Sequence, residues 1–320
     1  MKQPLRVAAA SPSFCEHPVL CRELLALYPD AKLNTSLERL HGDALVAFLR
    51  GHDVALVGLE QMTAGVIAAL PDLKVISKLG TGVDMLDGHA MAQRGIRLGW
   101  KPGANALSIA ELVIAFALIA LRQMGAGHLA LRSRGDVTRR MGRLLTGRVF
   151  GLHGCGLIGQ QVVRLLAPFR CTVLAYDIAD RSAFYAANGV QGVGFDELVE
   201  RSEVLSLHMP LTPQTRGLYG ADVLRRLRPD CVLINTARGE VVDEDALYER
   251  LASGALAGAC ADVFASEPAF ESRLLALPNF FGTPHIGGSA AEARLAMGRI
   301  AIEGITDNFL PVVGQPPFDA

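Results

Sequence analysis

Residues 148–159 read RVFGLHGCGLIG: an apolar run that breaks into Gly154-Cys155-Gly156-Leu157-Ile158-Gly159. The segment continues as a helical pattern with Ile158, Val162, Val163, Leu165 and Leu166 on one face. Strand, glycine turn and helix in that order are the context in which a G-x-G-x-x-G motif carries weight. Gly154 permits a tight turn, Gly156 lets backbone approach a pyrophosphate, and Gly159 lets the helix pack close to the sheet. The N–H groups of Leu157 and Ile158, with the helix dipole behind them, would hold the phosphates. On these six residues alone, a glycine-rich turn that binds nothing is the competing reading.

Asp177 ends the next apolar run, TVLAYD (172–177), about 20 residues beyond the glycines. A carboxylate there accepts both ribose hydroxyls of NAD and repels the 2′-phosphate of NADP. Taken singly, Asp177 is equally a turn former or helix N-cap. With turn, helix and strand-end acid in sequence, NAD is the favoured cofactor, and nearby Arg181 keeps NADP as the lesser candidate.

Similar runs recur along the chain: LRVAAA (5–10), DVALVG (53–58), LKVIS (73–77), VLSLHM (204–209) and CVLINTA (231–237). They are nearly all apolar rather than alternating, which suits parallel strands covered on both faces. Helical patterns lie between them, among them Ala246, Leu247 and Leu251 on one face of 243–251. The architecture expected is α/β, as two doubly wound parallel-sheet domains, Rossmann-like or flavodoxin-like, with a cleft between them. The breaker-rich link Gly99-Trp100-Lys101-Pro102-Gly103 precedes a long apolar helix, and Gly287-Gly288-Ser289 precedes the last one. A chain that leaves one unit, builds a second and returns places a boundary at each. The division expected is a discontinuous substrate domain, 1–102 plus 289–320, and a NAD-binding domain over 103–288.

Composition narrows the function classes. In 320 residues, 31 Lys and Arg face 32 Asp and Glu, a net charge of −1, so no global basic field favours nucleic acid or an anionic membrane. The N-terminal apolar run, Val7 to Ala10, is too short for a signal peptide. The run from Leu112 to Leu121 is too short to span a bilayer and reads as a buried helix. Six cysteines form no C-x-x-C pair and no zinc-spaced cluster with histidine, which points to free thiols in a reducing, cytoplasmic setting and to no metal.

Three polar segments follow apolar runs in the second half: Asn235-Thr236-Ala237-Arg238-Gly239-Glu240, Ala261-Asp262-Val263-Phe264 with Ser266-Glu267-Pro268, and Thr283-Pro284-His285-Ile286-Gly287-Gly288. In a doubly wound sheet, residues just past the strands converge on the ligand crevice. An Arg, a Glu and a His there are suited to binding a carboxylate, orienting a base and moving a proton. Each also has a bland reading: a surface ion pair for Arg238, a solvated loop acid for Glu267, a helix cap for His285.

From about Lys74 to Gly288 the sequence resembles the D-isomer-specific 2-hydroxyacid dehydrogenases, nearest the phosphoglycerate dehydrogenase branch. The matching segments are Leu79-Gly80-Thr81-Gly82-Val83-Asp84, Gly154 to Gly159, His208-Met209-Pro210-Leu211-Thr212, Asn235 to Asp243, Ala261 to Pro268, and Thr283 to Ser289. The resemblance implies an oxidoreductase that transfers hydride between nicotinamide and C2 of a small D-2-hydroxy or 2-oxo acid. It implies Arg238, Glu267 and His285 as the catalytic set. Arg238 would grip the substrate carboxylate, His285 would exchange the hydroxyl proton, and Glu267 would fix the imidazole. It further implies substrate-carboxylate binding by backbone of Gly80, Thr81, Gly82 and Val83. His208 and Met209 would lie at the adenosine end, with Thr236, Ala237, Asp262, Gly287 and Gly288 around the nicotinamide. A homodimer through the cofactor domains is implied as well.

Departures bear on the substrate. Phosphoglycerate enzymes usually carry an Arg near the end of the second of these runs, where this chain has Val57-Gly58-Leu59-Glu60-Gln61, and Glu60 opposes a phosphate. Lys78 stands where a family Arg often helps bind the distal anion. 3-Phosphoglycerate, hydroxypyruvate and glyoxylate therefore all stay open. The chain ends at Ala320, without the regulatory domain of long phosphoglycerate dehydrogenases, so feedback through such a domain is not expected. Formate dehydrogenase is disfavoured, because that branch has Gln where Glu267 stands. A corepressor-type protein, using NAD occupancy to control assembly, is the alternative from a different class.

Overall fold

The computed structural model describes residues 5–133, 135, 141–315 and 317–318. The chain divides into two units, one of Met1–Asn105 with Ser289–Ala320 and one of Ala106–Gly288.

The first unit is built on β1 (Val7–Ala9), β2 (Lys32–Leu33), β3 (Val54–Val57), β4 (Val75–Lys78) and β5 (Arg97–Gly99). They form one parallel sheet in the order β2-β1-β3-β4-β5. Successive residues of a strand face opposite sides. Val7, Ala9, Val54 and Leu56 accordingly pack under Phe14, Leu20, Leu24 and Ile302, while Ala8, Ala55, Val57 and Ile76 pack under Leu45, Leu49, Met62 and Met91. Both faces are dry, which is why these runs show no polar alternation. The chain reverses its direction of growth between β1 and β3, the place where a doubly wound sheet opens a crevice beyond its carboxyl ends.

The second unit carries β6 (Val149–His153), β7 (Thr172–Tyr176), β8 (Gln191–Gly192), β9 (Val204–Leu207), β10 (Val232–Asn235), β11 (Gly258–Ala261) and β12 (Phe280–Gly282). The sheet is parallel throughout, in the order β12-β11-β10-β9-β6-β7-β8. Its reversal falls between β6 and β9, and the glycine turn leaves β6 at that point. The helix Ala106–Leu121 buries Ile109, Ala110, Val113, Phe116, Ala117 and Leu121, a row at helical spacing, against the sheet and the helix Leu157–Leu166. Among the described residues no single helix is long and apolar enough to cross a membrane. The bent pair Ala106–Leu121 and Met124–Arg132, at 66°, meets that test only by length and composition.

The run CVLINTA continues two residues past the carboxyl end of its strand, and Asn235 is the reason. Its Oδ1 accepts the Ala237 N–H at 3.0 Å and its Nδ2 donates to the Arg238 carbonyl at 2.8 Å, closing an Asx turn that ends β10.

Candidate active site

The glycine turn meets each requirement of a dinucleotide cradle. Gly154 has φ of +90°, in the left-handed region, with the His208–Met209 backbone within 3.1 Å of where a Cβ would stand. A Cβ on Gly159 would lie 2.5 Å from the Gly154 carbonyl, so only glycine lets the helix start this close to its strand. A Cβ on Gly156 would meet nothing within 4 Å, leaving open space over a helix N-terminus that no side chain caps. Asp177 holds the turn from below: Oδ2 accepts the Cys155 N–H at 2.7 Å, and Oδ1 accepts the Ala179 N–H at 2.8 Å. Arg181 Nε lies 3.5 Å from the same carboxylate.

Two orphaned polar groups border this turn and β10. Both ring nitrogens of His208 and the Thr236 hydroxyl are buried without a hydrogen-bond partner in the structure. Buried polar groups are normally satisfied, so these are positions for a ligand to supply the partner. Burial pushes the His208 imidazole down to about 3, so it is neutral at physiological pH and serves as a wall, not a base. His153, close by, is likewise pushed down to about 4 by burial, and its Nδ1 pairs with the Tyr219 hydroxyl at 2.9 Å. Cradle, strand-end acid and orphaned groups together fit a dinucleotide.

Arg238, Glu267 and His285 leave the ends of β10, β11 and β12 and come together. Glu267 Oε2 accepts from His285 Nδ1 at 2.9 Å, and Oε1 accepts the Phe264 N–H at 3.1 Å. An ionised Glu267 only accepts, so the imidazole proton sits on Nδ1 and Nε2 is left to face a reactant. The Glu267 hydrogen bond, working against burial, raises the His285 pKa, and the charges of Glu267 and Asp262 add to it while Arg238 opposes. Burial would push Glu267 up, but the His285 hydrogen bond and charge, with Arg238 behind them, bring it below its ordinary value. Arg238 is half-buried, its Nη1 donating to the Ala237 carbonyl at 2.7 Å. The next residue, Gly239, allows the close approach: a Cβ would stand 1.9 Å from the Phe264 carbonyl carbon. Removing that side chain presses the Arg238 segment onto the loop that carries Glu267.

The expected nicotinamide-side residues lie around this set. Thr236 and Ala237 are buried beside the Asn235 turn. Asp262 is buried and takes hydrogen bonds from Thr283, Ile286 and Gly287. Sequence reading missed Asn235, Phe264 and Thr283 as supports. Asn235, set just after a strand and before Arg238, carried the only sequence signal, a turn-forming side chain.

In the first unit, Gly80 turns at φ of +94° directly after β4. Thr81 is fixed by its hydroxyl to Asn105 Oδ1 at 2.8 Å and by the Trp100 indole N–H to its carbonyl at 2.9 Å. Lys78 is buried, with Nζ donating to the Leu79 carbonyl. Glu60 is buried too, its Oε2 accepting the Gly58 N–H at 2.6 Å.

Residues 114–287 match the family model of the D-isomer specific 2-hydroxyacid dehydrogenase NAD binding domain. The chain is 38% identical over 247 residues to a D-3-phosphoglycerate dehydrogenase of Methanocaldococcus jannaschii, covering 77% of this chain and 47% of that one. It thus spans about half the length of the phosphoglycerate dehydrogenases it matches. It is 34% identical to a hydroxypyruvate reductase of Thermotoga maritima, covering 86% of this chain and 90% of that one. A solved D-isomer specific 2-hydroxyacid dehydrogenase from a Polaromonas species superimposes with a TM-score of 0.86 at 31% identity, over 94% of this chain and 96% of the other. By sequence and by fold alike, this chain belongs to the D-isomer specific 2-hydroxyacid dehydrogenases.

Proposed function

We propose that this chain is a NAD-dependent oxidoreductase interconverting a small D-2-hydroxy acid and its 2-oxo acid. The observation that carries the reading is the 2.9 Å pair of His285 Nδ1 and Glu267 Oε2, with its free Nε2 in the field of Arg238. The glycine turn, Asp177, His208 and Thr236 would hold the cofactor, which supplies or accepts the hydride. Arg238 pairs with the substrate carboxylate and polarises the C2 carbonyl. His285 Nε2 donates a proton to the carbonyl oxygen as C2 is reduced, and takes it back in the oxidation. Glu267 holds the Nδ1 proton and stabilises the imidazolium. In the first unit, the backbone of 80–83 over Lys78 is suited to an anion.

A buried carboxylate repels a phosphate. Glu60 therefore favours an unphosphorylated acid such as hydroxypyruvate or glyoxylate over 3-phosphohydroxypyruvate. The test is NADH and NADPH oxidation with a panel of these 2-oxo acids and 2-oxoglutarate. Turnover of an unphosphorylated acid with preference for NADH is expected. Saturable NADH binding without turnover of any acid would overturn the enzymatic reading in favour of a regulatory one.

The second unit also has a largely apolar groove of about 510 Å³ lined by Met124, Leu129, Leu275, Leu277, Pro278 and Phe281, among which Met124, Leu129 and Leu275 are exposed. Apolar surface gathered in this way supports a homodimer through this unit. Light scattering should then give twice the 34.1 kDa chain mass, and the single-chain mass would reject it.

A further inference from the structure

The carboxyl edge of the first sheet carries two buried polar side chains that take no part in the proton transfer. Ser11 follows β1 and Glu60 follows β3, the two strands between which this sheet reverses its direction of growth. In a doubly wound sheet that reversal is where a ligand crevice opens. Both side chains are 1% exposed. Gly58 lets them approach each other: a Cβ there would stand 2.6 Å from the Ser11 hydroxyl oxygen and 3.6 Å from Glu60 Oε2. Glu60 Oε2 accepts the Gly58 N–H at 2.6 Å. No hydrogen bond among the described residues engages Glu60 Oε1 or the Ser11 hydroxyl. Asn34, buried just past β2, shows the ordinary pattern. Its amide donates to the Ala10 and Glu38 carbonyls and accepts the Ser36 hydroxyl. Buried polar groups are normally paired in this way, and a buried carboxylate with acceptor capacity to spare is costly.

We propose that Ser11 and Glu60 form the specificity subsite of the first unit, taking a neutral hydroxyl on the substrate carbon next to C2. The inference rests on the 2-oxo acid reading above and narrows its substrate class. An ionised carboxylate only accepts, so its partner must bring a donor. A serine hydroxyl both donates and accepts, so one ligand hydroxyl satisfies the pair by donating to Oε1 and accepting from Ser11. Charge at this edge is already balanced. Val57, at the end of β3, pairs in register with the buried Lys78 at the end of β4, so the two strand ends carry one charge of each sign. A phosphate or an ammonium would add a charge with no counterpart. Spacing agrees as well. Lys78 Nζ lies 3.6 Å from where a Gly80 Cβ would stand, beneath the turn suited to the substrate carboxylate. Adjacent strands are about 4.7–4.9 Å apart, which matches the reach from a carboxylate on that turn to a hydroxyl on C3.

The test is calorimetric binding of D-glycerate and D-lactate to the NADH-loaded protein. Both ligands are hydroxy acids and the cofactor is already reduced, so no turnover intervenes. They differ only in the C3 hydroxyl. D-Glycerate should bind about 10–10²-fold tighter, the worth of one hydrogen bond to a charged group. Glu60→Gln keeps an acceptor for the Gly58 N–H and loses the charge, so that preference should shrink about tenfold. Ser11→Ala should shrink it about fivefold. If Glu60→Gln does not fold, the ratio in the unaltered protein and in Ser11→Ala decides the matter. A Glu60 that only capped the Gly58 N–H would, on substitution, weaken both acids alike. A ratio unmoved by either variant, or equal affinities in the unaltered protein, would therefore overturn the subsite. Tighter binding of 3-phospho-D-glycerate, or of 3-amino-2-hydroxypropanoate, than of D-glycerate would overturn the neutral hydroxyl. Lactate bound as tightly as glycerate removes the subsite alone, whereas binding of neither acid removes the 2-oxo acid reading with it.

Discussion

Replacing His285 with Ala should lower the rate of 2-oxo acid reduction by about 10²–10⁴-fold, the usual worth of a positioned general acid, with NADH binding retained. The expectation follows from geometry. Glu267 accepts the hydrogen bond from Nδ1–H, so Nε2 is the only ring nitrogen left to protonate the carbonyl oxygen. The ring's raised pKa keeps a larger protonated fraction at neutral pH than an ordinary imidazole has. None of the atoms that shape the glycine turn belongs to His285, so the cofactor should not sense the change. Measured kcat with an acid from the panel, beside the NADH dissociation constant, separates the two effects. An unchanged kcat would remove His285 from the proton path.

Arg238→Lys should cost about 10²–10³-fold in kcat/KM, comparable to losing one donor from an oxyanion site. Lysine keeps the charge but is a compact point donor, whereas guanidinium presents a planar fork that matches a carboxylate. The Arg238 backbone is fixed on both sides: Asn235 Nδ2 donates to its carbonyl, and Gly239 permits contact with the Phe264 backbone. A lysine ammonium has no way to recover the second hydrogen bond by shifting the chain. Steady-state kinetics over a range of acid concentrations gives the ratio. Equal kcat/KM for the two proteins would show that Arg238 supplies charge alone, or that another group holds the carboxylate.

How far these features were legible beforehand depends on where the information is stored. Runs such as DVALVG and TVLAYD disclose parallel strands because both sheet faces are covered, so local composition reports the tertiary environment. The edge strands β2 and β8 are two residues each, Lys32–Leu33 and Gln191–Gly192, and leave no such imprint. Gly258–Ala261 is a buried strand made mostly of small residues, and its apolar signal is correspondingly faint. The catalytic candidates were visible as polar residues after strands, and the family resemblance gave them roles. Their supports were not. Nothing in the sequence near Phe264 marks its N–H as the group that fixes Glu267, and the bonds from Asp262 span 21 to 25 positions. Gly239 reads as a turn residue, and its contact with the Phe264 backbone exists only once β10 and β11 lie side by side.

The central claim is that an imidazole held by Glu267 carries the proton that accompanies the hydride. Initial rates measured in both directions across pH test it most directly. A raised His285 pKa means the imidazolium persists above the ordinary value near 6.5. Reduction of the 2-oxo acid needs that imidazolium, so its kcat/KM should be high below the shifted pKa and fall as pH rises through it. Oxidation of the hydroxy acid needs the neutral ring, so its kcat/KM should rise through the same value. Mirror-image limbs sharing one apparent pKa above about 6.5 are the predicted result. Rates flat through that range in both directions, or limbs of the opposite sign, would contradict the account.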